Sequence, residues 1–215
     1  MMTNQPVLVI ENLSLTIDGN KLFSNFNLSV NDGEKVLIRG KSGTGKSTLL
    51  NLLLGFILPD RGSIILNGSK MTTVNLWEMR LNYAFVGQSP DVGQGSAKSI
   101  FKHTFSYRNN KNLIYDENEI KKLCDSLDLA PEVLEKDFIK LSGGEKQRLA
   151  IIHAKLLKRK IYLLDEITSA LDKSMKNTVA DLFMKRVPET VITISHDPCW
   201  LSVQPDQVIN LDEVI

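Results

Sequence analysis

Gly40-Lys41-Ser42-Gly43-Thr44-Gly45-Lys46-Ser47-Thr48 matches the spacing G-x-x-x-x-G-K-[ST]. The glycines let the main chain turn tightly and aim its N–H groups inward as an anion nest. A helix starting at the lysine adds the partial positive charge of its N-terminus. The chemistry this suits is the binding of a nucleotide's phosphate chain. Lys46 is expected to reach the β- and γ-phosphates, the Ser47 hydroxyl to ligate Mg²⁺, and Thr48 to contact the α-phosphate.

A pair of acids supplies what such a loop lacks. Ile161-Tyr162-Leu163-Leu164-Asp165-Glu166 is an apolar run ending in two carboxylates. An aspartate at a strand end of a phosphate-loop protein holds Mg²⁺, and Asp165 takes that role. Glu166, one residue further, can orient a water or accept its proton as it attacks the γ-phosphate. A third cluster is Leu141-Ser142-Gly143-Gly144-Glu145-Lys146-Gln147-Arg148. Ser142 and Glu145 have capping-box spacing. Two glycines in the first turn of a helix are costly unless something must come close to the backbone. An exposed helix N-terminus there would be a second phosphate-binding surface.

These residues need strands and helices to hold them. Val7 to Ile10, Leu13 to Ile17 and Phe26 to Val30 read as strands, with Asp18-Gly19-Asn20 as a hairpin turn. Lys35 to Arg39 is a compact strand feeding the glycine loop, and a helix follows from Lys46 to about Leu54. Further strands are expected at Ser63–Leu66, Tyr83–Val86, Ile161–Leu164 and Thr190–Ile194. Helices are expected at Asp116–Leu127, from Pro131, from Gly144 to Leu157, and at Met175–Lys185. Strands alternating with helices imply an α/β fold with a mainly parallel sheet. The stretch from about Ala97 to Phe138 has few strand signals and more charge, so it reads as a helical lobe inserted into the core.

Bulk properties set limits. The chain has 215 residues, 42% of them hydrophobic, enough for one packed domain. Lysine and arginine number 26 against 25 acids, a formal charge of +1, which gives no basic field for nucleic acid. Cys124 and Cys199 lie in unrelated contexts and read as free thiols. Met1 to Pro6 lacks the basic start of a signal peptide. The longest apolar run, Leu49 to Leu58, is broken by Asn51 and Gly55 and is far short of the roughly 20 residues that span a bilayer.

The order of the motifs resembles the ATP-binding cassette (ABC) family. Leu141–Arg148 is similar to its signature motif and lies between the phosphate loop and the Asp165-Glu166 strand. Gln88, after the Tyr83–Val86 strand, resembles the Q-loop glutamine. Ser169-Ala170-Leu171-Asp172 resembles the D-loop, and His196 the switch histidine. The resemblance covers nearly the whole chain. It implies a P-loop NTPase core with an N-terminal antiparallel β subdomain and an inserted helical subdomain. One domain is expected over residues 1–215, with the core in about 1–96 and 139–215 and the helical part in about 97–138.

The resemblance further implies ATP and Mg²⁺ as cofactors, with Ser47, Gln88 and Asp165 at the metal and Lys46, Gln88, Glu166 and His196 in catalysis. It implies a head-to-tail dimer in which Ser142, Gly143, Gly144 and Asp172 of one copy face the phosphate loop of the other. A separate membrane permease is the expected partner, and the cytoplasmic face of the plasma membrane the expected location. Leu163–Asp172 with the signature residues is similar to the small ATPase subunits of two-component iron exporters. A cassette in a soluble assembly, such as iron–sulfur cluster biogenesis, is the alternative. Two departures stand out. The usual adenine-stacking aromatic falls near Ile17 or Asp18, with Phe23 the nearest aromatic. Lys158-Arg159-Lys160 replaces a proline-containing link.

Overall fold

The computed structural model describes residues 6–213; the leader reading of Met1–Pro6 falls almost wholly outside them. In chain order the strands are β1 (Pro6–Ile17), β2 (Asn20–Asn31), β3 (Lys35–Arg39), β4 (Arg61–Leu66), β5 (Ser69–Lys70), β6 (Tyr83–Val86), β7 (Ile161–Asp165), β8 (Thr190–Ile194) and β9 (Gln207–Asn210). The α-helices are α1 (Lys46–Leu53), α2 (Leu76–Arg80), α3 (Ala97–Ser106), α4 (Glu117–Ser126), α5 (Gly143–Leu156), α6 (Lys173–Asp181) and α7 (Cys199–Ser202).

Two sheets form. One is antiparallel, in the order β2-β1-β4-β5; the other is parallel, in the order β6-β7-β8-β3-β9. The parallel sheet is the middle layer. Alternate side chains of its strands point to opposite faces. Val36 and Ile38 of β3, with Ile161 and Leu163 of β7, join α1 and the antiparallel sheet in one apolar core. Leu37, Tyr162 and Leu164 join α5, α6 and the segment after Ser96 in the other. Burial on both faces is why these strands read as unbroken apolar runs.

The first two expected strands are one. β1 runs unbroken from Pro6 to Ile17, with register shifts against β2 between Ile10 and Leu13. Asn12 in that irregular stretch has φ 48°, a bulge that turns Leu13 back into the core. β2 likewise starts at Asn20, directly after the Asp18-Gly19 turn. Pro131 opens a single 3₁₀ stretch, Pro131–Glu135, rather than an α-helix. The helix expected to reach Lys185 ends at Asp181, and Leu182–Arg186 continues as a wider turn. β5, α2, α7 and β9 had no signal strong enough to be read from the sequence.

Residues 97–138 hold α3, α4 and short 3₁₀ turns. The chain enters and leaves this segment through one bridge, Ser96 opposite Asp137, with Phe138 N donating to Gly95 O at 2.9 Å. Its apolar side is continuous with the core through Ile100, Phe101, Ile120, Cys124 and Phe138. A polar seam fixes its other edge. His153 of α5 stacks on Phe101 with centroids 5.2 Å apart and reaches Thr104 Oγ1 through Nε2 at 2.9 Å. Asn110 is buried and accepts a hydrogen bond from Arg159. Lys158 meets Glu119 at 3.1 Å. The basic link noted in the sequence is therefore a tether between this lobe and the parallel sheet.

Burial pushes the His153 imidazole down to about 4 from its ordinary 6.5. The folded chain holds it neutral, while the unfolded chain binds a proton below about 6.5. Stability is then present above that pH and lost as pH falls toward about 4. In urea titrations at pH 7 and pH 5, the chain should lose up to about 2 kcal/mol more than its His153→Gln variant.

Candidate nucleotide site

The phosphate loop sits where β3 hands over to α1. Arg39 closes β3, Gly40 has φ +153°, and Gly43 and Gly45 have φ +88° and +82°. Gly45 precedes α1 in the left-handed region, so its amide and those of the first turn face one side. A Cβ at Gly45 would lie 3.0 Å from the Phe23 ring. Phe23 is fully buried; it supports the loop from below and is not free to stack on a base. The half-buried Leu22 beside it lines the cleft instead.

Lys46 is 9% exposed, and its ammonium donates to Gly40 O and Lys41 O, both at 2.7 Å. Thr44 Oγ1 donates to the same Lys41 carbonyl at 3.0 Å. The cleft around it has a volume of about 550 Å³ and is lined by Leu22, Ser42, Gly43, Gly45, Lys46, Ser47, Thr48, Gln88, Asp165, Glu166 and His196. Six of the nine expected loop residues are therefore together with the acid pair, the glutamine and the histidine, while Gly40, Lys41 and Thr44 do not line this cleft.

Asp165 ends β7 against Ile194 of β8. Burial raises its carboxyl pKa, opposed by a hydrogen bond from Ser47 and by the charge of Lys46. A half-buried carboxylate, a serine hydroxyl and the Gln88 amide make an all-oxygen donor set. That set fits a small hard cation such as Mg²⁺, and the partial desolvation of Asp165 gives it reason to want one. Glu166 has φ 50°, held by its N–H donating to Ile194 O at 2.9 Å. The carboxylate accepts from His196 N at 3.4 Å and lies 3.5 Å from His196 Nε2. Ser195, fully buried, donates to it at 3.5 Å.

The signature residues lie elsewhere. Ser142 Oγ accepts from Glu145 N at 3.3 Å, and Glu145 Oε2 accepts from Ser142 N at 2.8 Å, the full capping box. Backbone hydrogen bonding from Ser142 is the main reason that the Glu145 carboxyl lies below its usual range. Gly143 and Gly144 open α5, so their amides have no carbonyl one turn back to bond. A Cβ on Gly144 would come within 3.4 Å of Ala170 O. Asp172 caps α6 by accepting from Met175 N at 3.0 Å, and that backbone contact lowers its pKa. Among the described residues lining the cleft, Ser142, Gly143, Gly144 and Asp172 are all missing.

Sequence reasoning missed the residues that hold the histidine loop. Thr168, fully buried, donates to Asp197 Oδ2 at 3.0 Å and accepts from Trp200 Nε1 at 3.3 Å. Lys176 pairs with the same Asp197 at 2.8 Å. Asp197-Pro198 after His196 was the only local signal, and it does not reveal a partner 29 residues back.

Known proteins resemble this chain in sequence and in fold. The ABC transporter family model matches residues 23–169, more than half of the chain. This chain belongs to the ABC transporter family. The probable iron export ATP-binding protein FetA of Escherichia coli K12 is 31% identical over 215 residues, covering 100% of this chain and 92% of its own length. The energy-coupling factor transporter ATP-binding protein EcfA1 of Oenococcus oeni is 35% identical over 209 residues, 94% of this chain and 74% of its own. A bacterial Atm1-family ABC exporter solved with ATP bound superposes with a TM-score of 0.82 at 25% identity over 99% of this chain, which spans 38% of that exporter. The cbiO1 protein of Clostridium perfringens, from the cbiONQ transporter complex, shares the fold at a TM-score of 0.76 and 22% identity, over 96% of this chain and 84% of its own. As an ABC ATPase, the chain binds and hydrolyses ATP.

The support under the loop can be tested without touching the cleft. Phe23→Ala should destabilise the chain by about 3–5 kcal/mol, the usual cost of emptying a buried aromatic site. The shift of its urea midpoint measures this, and a shift under a quarter of that size would mean that the loop does not rest on the ring.

Proposed function

We propose that this chain is one half of a nucleotide-sandwiched dimer that drives a separate membrane-spanning permease. One observation carries the first part. The chain presents a phosphate-loop cleft and an exposed signature helix end, and the second lines no part of the first. Each is half of a site for the same phosphates. A second copy, head to tail, brings Ser142, Gly143, Gly144 and Asp172 to the cleft. The whole of residues 1–215 then acts as a single ABC domain, with core and helical parts divided at about 97 and 138.

In this reading the loop amides and Lys46 hold the β- and γ-phosphates. Thr48 contacts the α-phosphate. Ser47, Gln88 and Asp165 hold Mg²⁺, which neutralises phosphate charge when bound. Glu166 orients the attacking water and takes its proton. His196, within reach of that carboxylate, contacts the γ-phosphate. Catalysis is positioning and charge neutralisation. Leu22 and the half-buried Ile17 offer the base an aliphatic wall where the family places an aromatic ring.

The permease partner is supported by the relatives, which their names describe as parts of transport systems. Among the described residues no helix is long and apolar enough to cross a membrane. A surface suited to a partner lies at the end of α1: Phe56 is 65% and Trp77 75% exposed, with the Arg80 guanidinium 4.6 Å and 5.2 Å from their ring centroids. His103, Tyr107, Arg108 and Lys111 are exposed on the helical segment and form the other candidate surface. Docking there would place the chain on the cytoplasmic face of the plasma membrane. Iron export is the cargo to assay first, because the iron export relative is matched nearly end to end.

Glu166→Gln should lower ATP turnover by at least about a hundredfold, the usual contribution of a general base, while ATP still binds and a dimer accumulates on gel filtration. Unchanged turnover would remove Glu166 from the chemistry. For the permease, tagged chain recovered from detergent-solubilised membranes should bring down a multi-spanning protein. Recovery with soluble proteins alone would overturn the transport reading.

A further inference from the structure

Lys41 and Asp212 are 171 residues apart in the chain, yet Asp212 Oδ1 accepts the Lys41 backbone N–H at 2.9 Å. Topology brings them together. β9 runs parallel to β3 and stays in register to the last residue of each, Val36 opposite Gln207 through Arg39 opposite Asn210. Where β3 turns into Gly40, β9 turns into Leu211–Glu213. Leu211 is fully buried and roots this turn in the core. Asn210 braces it, accepting from Asp212 N at 3.3 Å and donating to Glu213 Oε1 at 2.8 Å.

The contact bears on the geometry of the loop. The Lys41 carbonyl already accepts from Lys46 Nζ and Thr44 Oγ1. Its N–H is fixed by Asp212, so this residue is held at both its amide and its carbonyl. Gly40 is confined by the same turn, since a Cβ there would lie 3.3 Å from Leu211 Cβ and 3.5 Å from Asp212 Oδ1, besides 2.7 Å from Thr44 Oγ1. The first turn of the loop is thus shaped from outside the cleft, by a strand end that contributes nothing to the phosphate-facing wall.

We propose that Asp212 is a positioning residue of the nucleotide site, which pins the Lys41 amide outward so that the later loop amides and Lys46 are set for phosphate. The inference rests on the phosphate-loop reading of residues 40–48. What the loop needs from Asp212 is an acceptor oxygen, not a charge; a second negative charge near the phosphates works against binding. Asn in its place keeps an acceptor on the same frame, and Ala removes it.

The experiment is a titration of the purified full chain with ATP and Mg²⁺ by isothermal calorimetry, alongside the kcat and KM of ATP hydrolysis and the melting temperature without nucleotide. Asp212→Ala should weaken ATP binding and raise KM about fivefold, in keeping with one exposed charge-assisted hydrogen bond. Its kcat and its nucleotide-free melting temperature should stay near those of the parent chain. Asp212→Asn should restore binding to within about twofold of the parent, since the acceptor is kept. Parent-like ATP binding by Asp212→Ala would overturn the inference. So would Asp212→Asn binding as weakly as Asp212→Ala, or a melting temperature that falls along with the affinity. Failure of the parent chain itself to bind ATP would overturn the phosphate-loop reading and this inference together.

Discussion

A buried ammonium group has to be satisfied, and the phosphate loop is built around that demand. Lys46 reaches two carbonyls of its own loop, so the loop's outward curl and the lysine's direction are set by one interaction. A cation desolvated to this degree without partners would be expelled or neutralised. The same carbonyls that hold it are weaker partners than a phosphate, because a charged acceptor makes the shorter and stronger bond. The group is thus held in place yet can be transferred. Everything near it serves to keep the curl: β3 before it, α1 after it, Phe23 under Gly45 and the turn after β9 on its outer side.

Glu166, the proposed catalytic carboxylate, depends on a second constraint, backbone conformation. Glu166 occupies the left-handed region at φ 50°, which costs a non-glycine residue of order 1 kcal/mol. The parallel pairing of β7 with β8 offsets that cost, since the Glu166 amide takes the Ile194 carbonyl just past the last ladder rung. The turn throws the carboxylate toward His196 and away from the apolar run that precedes it. Asp165 and Glu166 are neighbours in sequence and both half-buried at the cleft, but one ends a strand and the other sits in the turn just past it. That separation lets adjacent carboxylates take different tasks.

The sequence carried the local part of this well and the long-range part poorly. The phosphate loop, the acid pair, the capping box of α5 and the central strands β3, β7 and β8 are all written in consecutive residues, so spacing and periodicity reveal them. The Ser96–Asp137 bridge lies close to the ends of the stretch that the change in composition sets apart. Asn12 was harder: a bulge keeps the strand going, while its polar residues read as a break. β9 is short and half-exposed, without the apolar density of a buried strand. Missing it meant missing Asp212. The Thr168–Asp197–Trp200 contacts were equally hidden, since nothing local distinguishes a threonine that braces a loop from one that fills a core.

The helix α5 links the cleft to the signature turn within one chain. Gln147, fully buried on α5, donates through Nε2 to Gly87 O at 3.3 Å, and its Oε1 has no hydrogen-bond partner among the described residues. Gly87 precedes Gln88, which lines the cleft. The segment that leads to Gln88 is therefore tied to α5 by one side chain. The helix is stiff along its apolar face, where Leu149, Ile151 and Ile152 are packed with no exposure. It is under-satisfied at Gln147 and at the neighbouring Arg148, whose buried Nε also has no hydrogen-bond partner among the described residues. In the proposed head-to-tail dimer both surfaces would have to be rigid enough to present phosphate ligands, and the tightly packed face of α5 supplies that rigidity behind the signature turn.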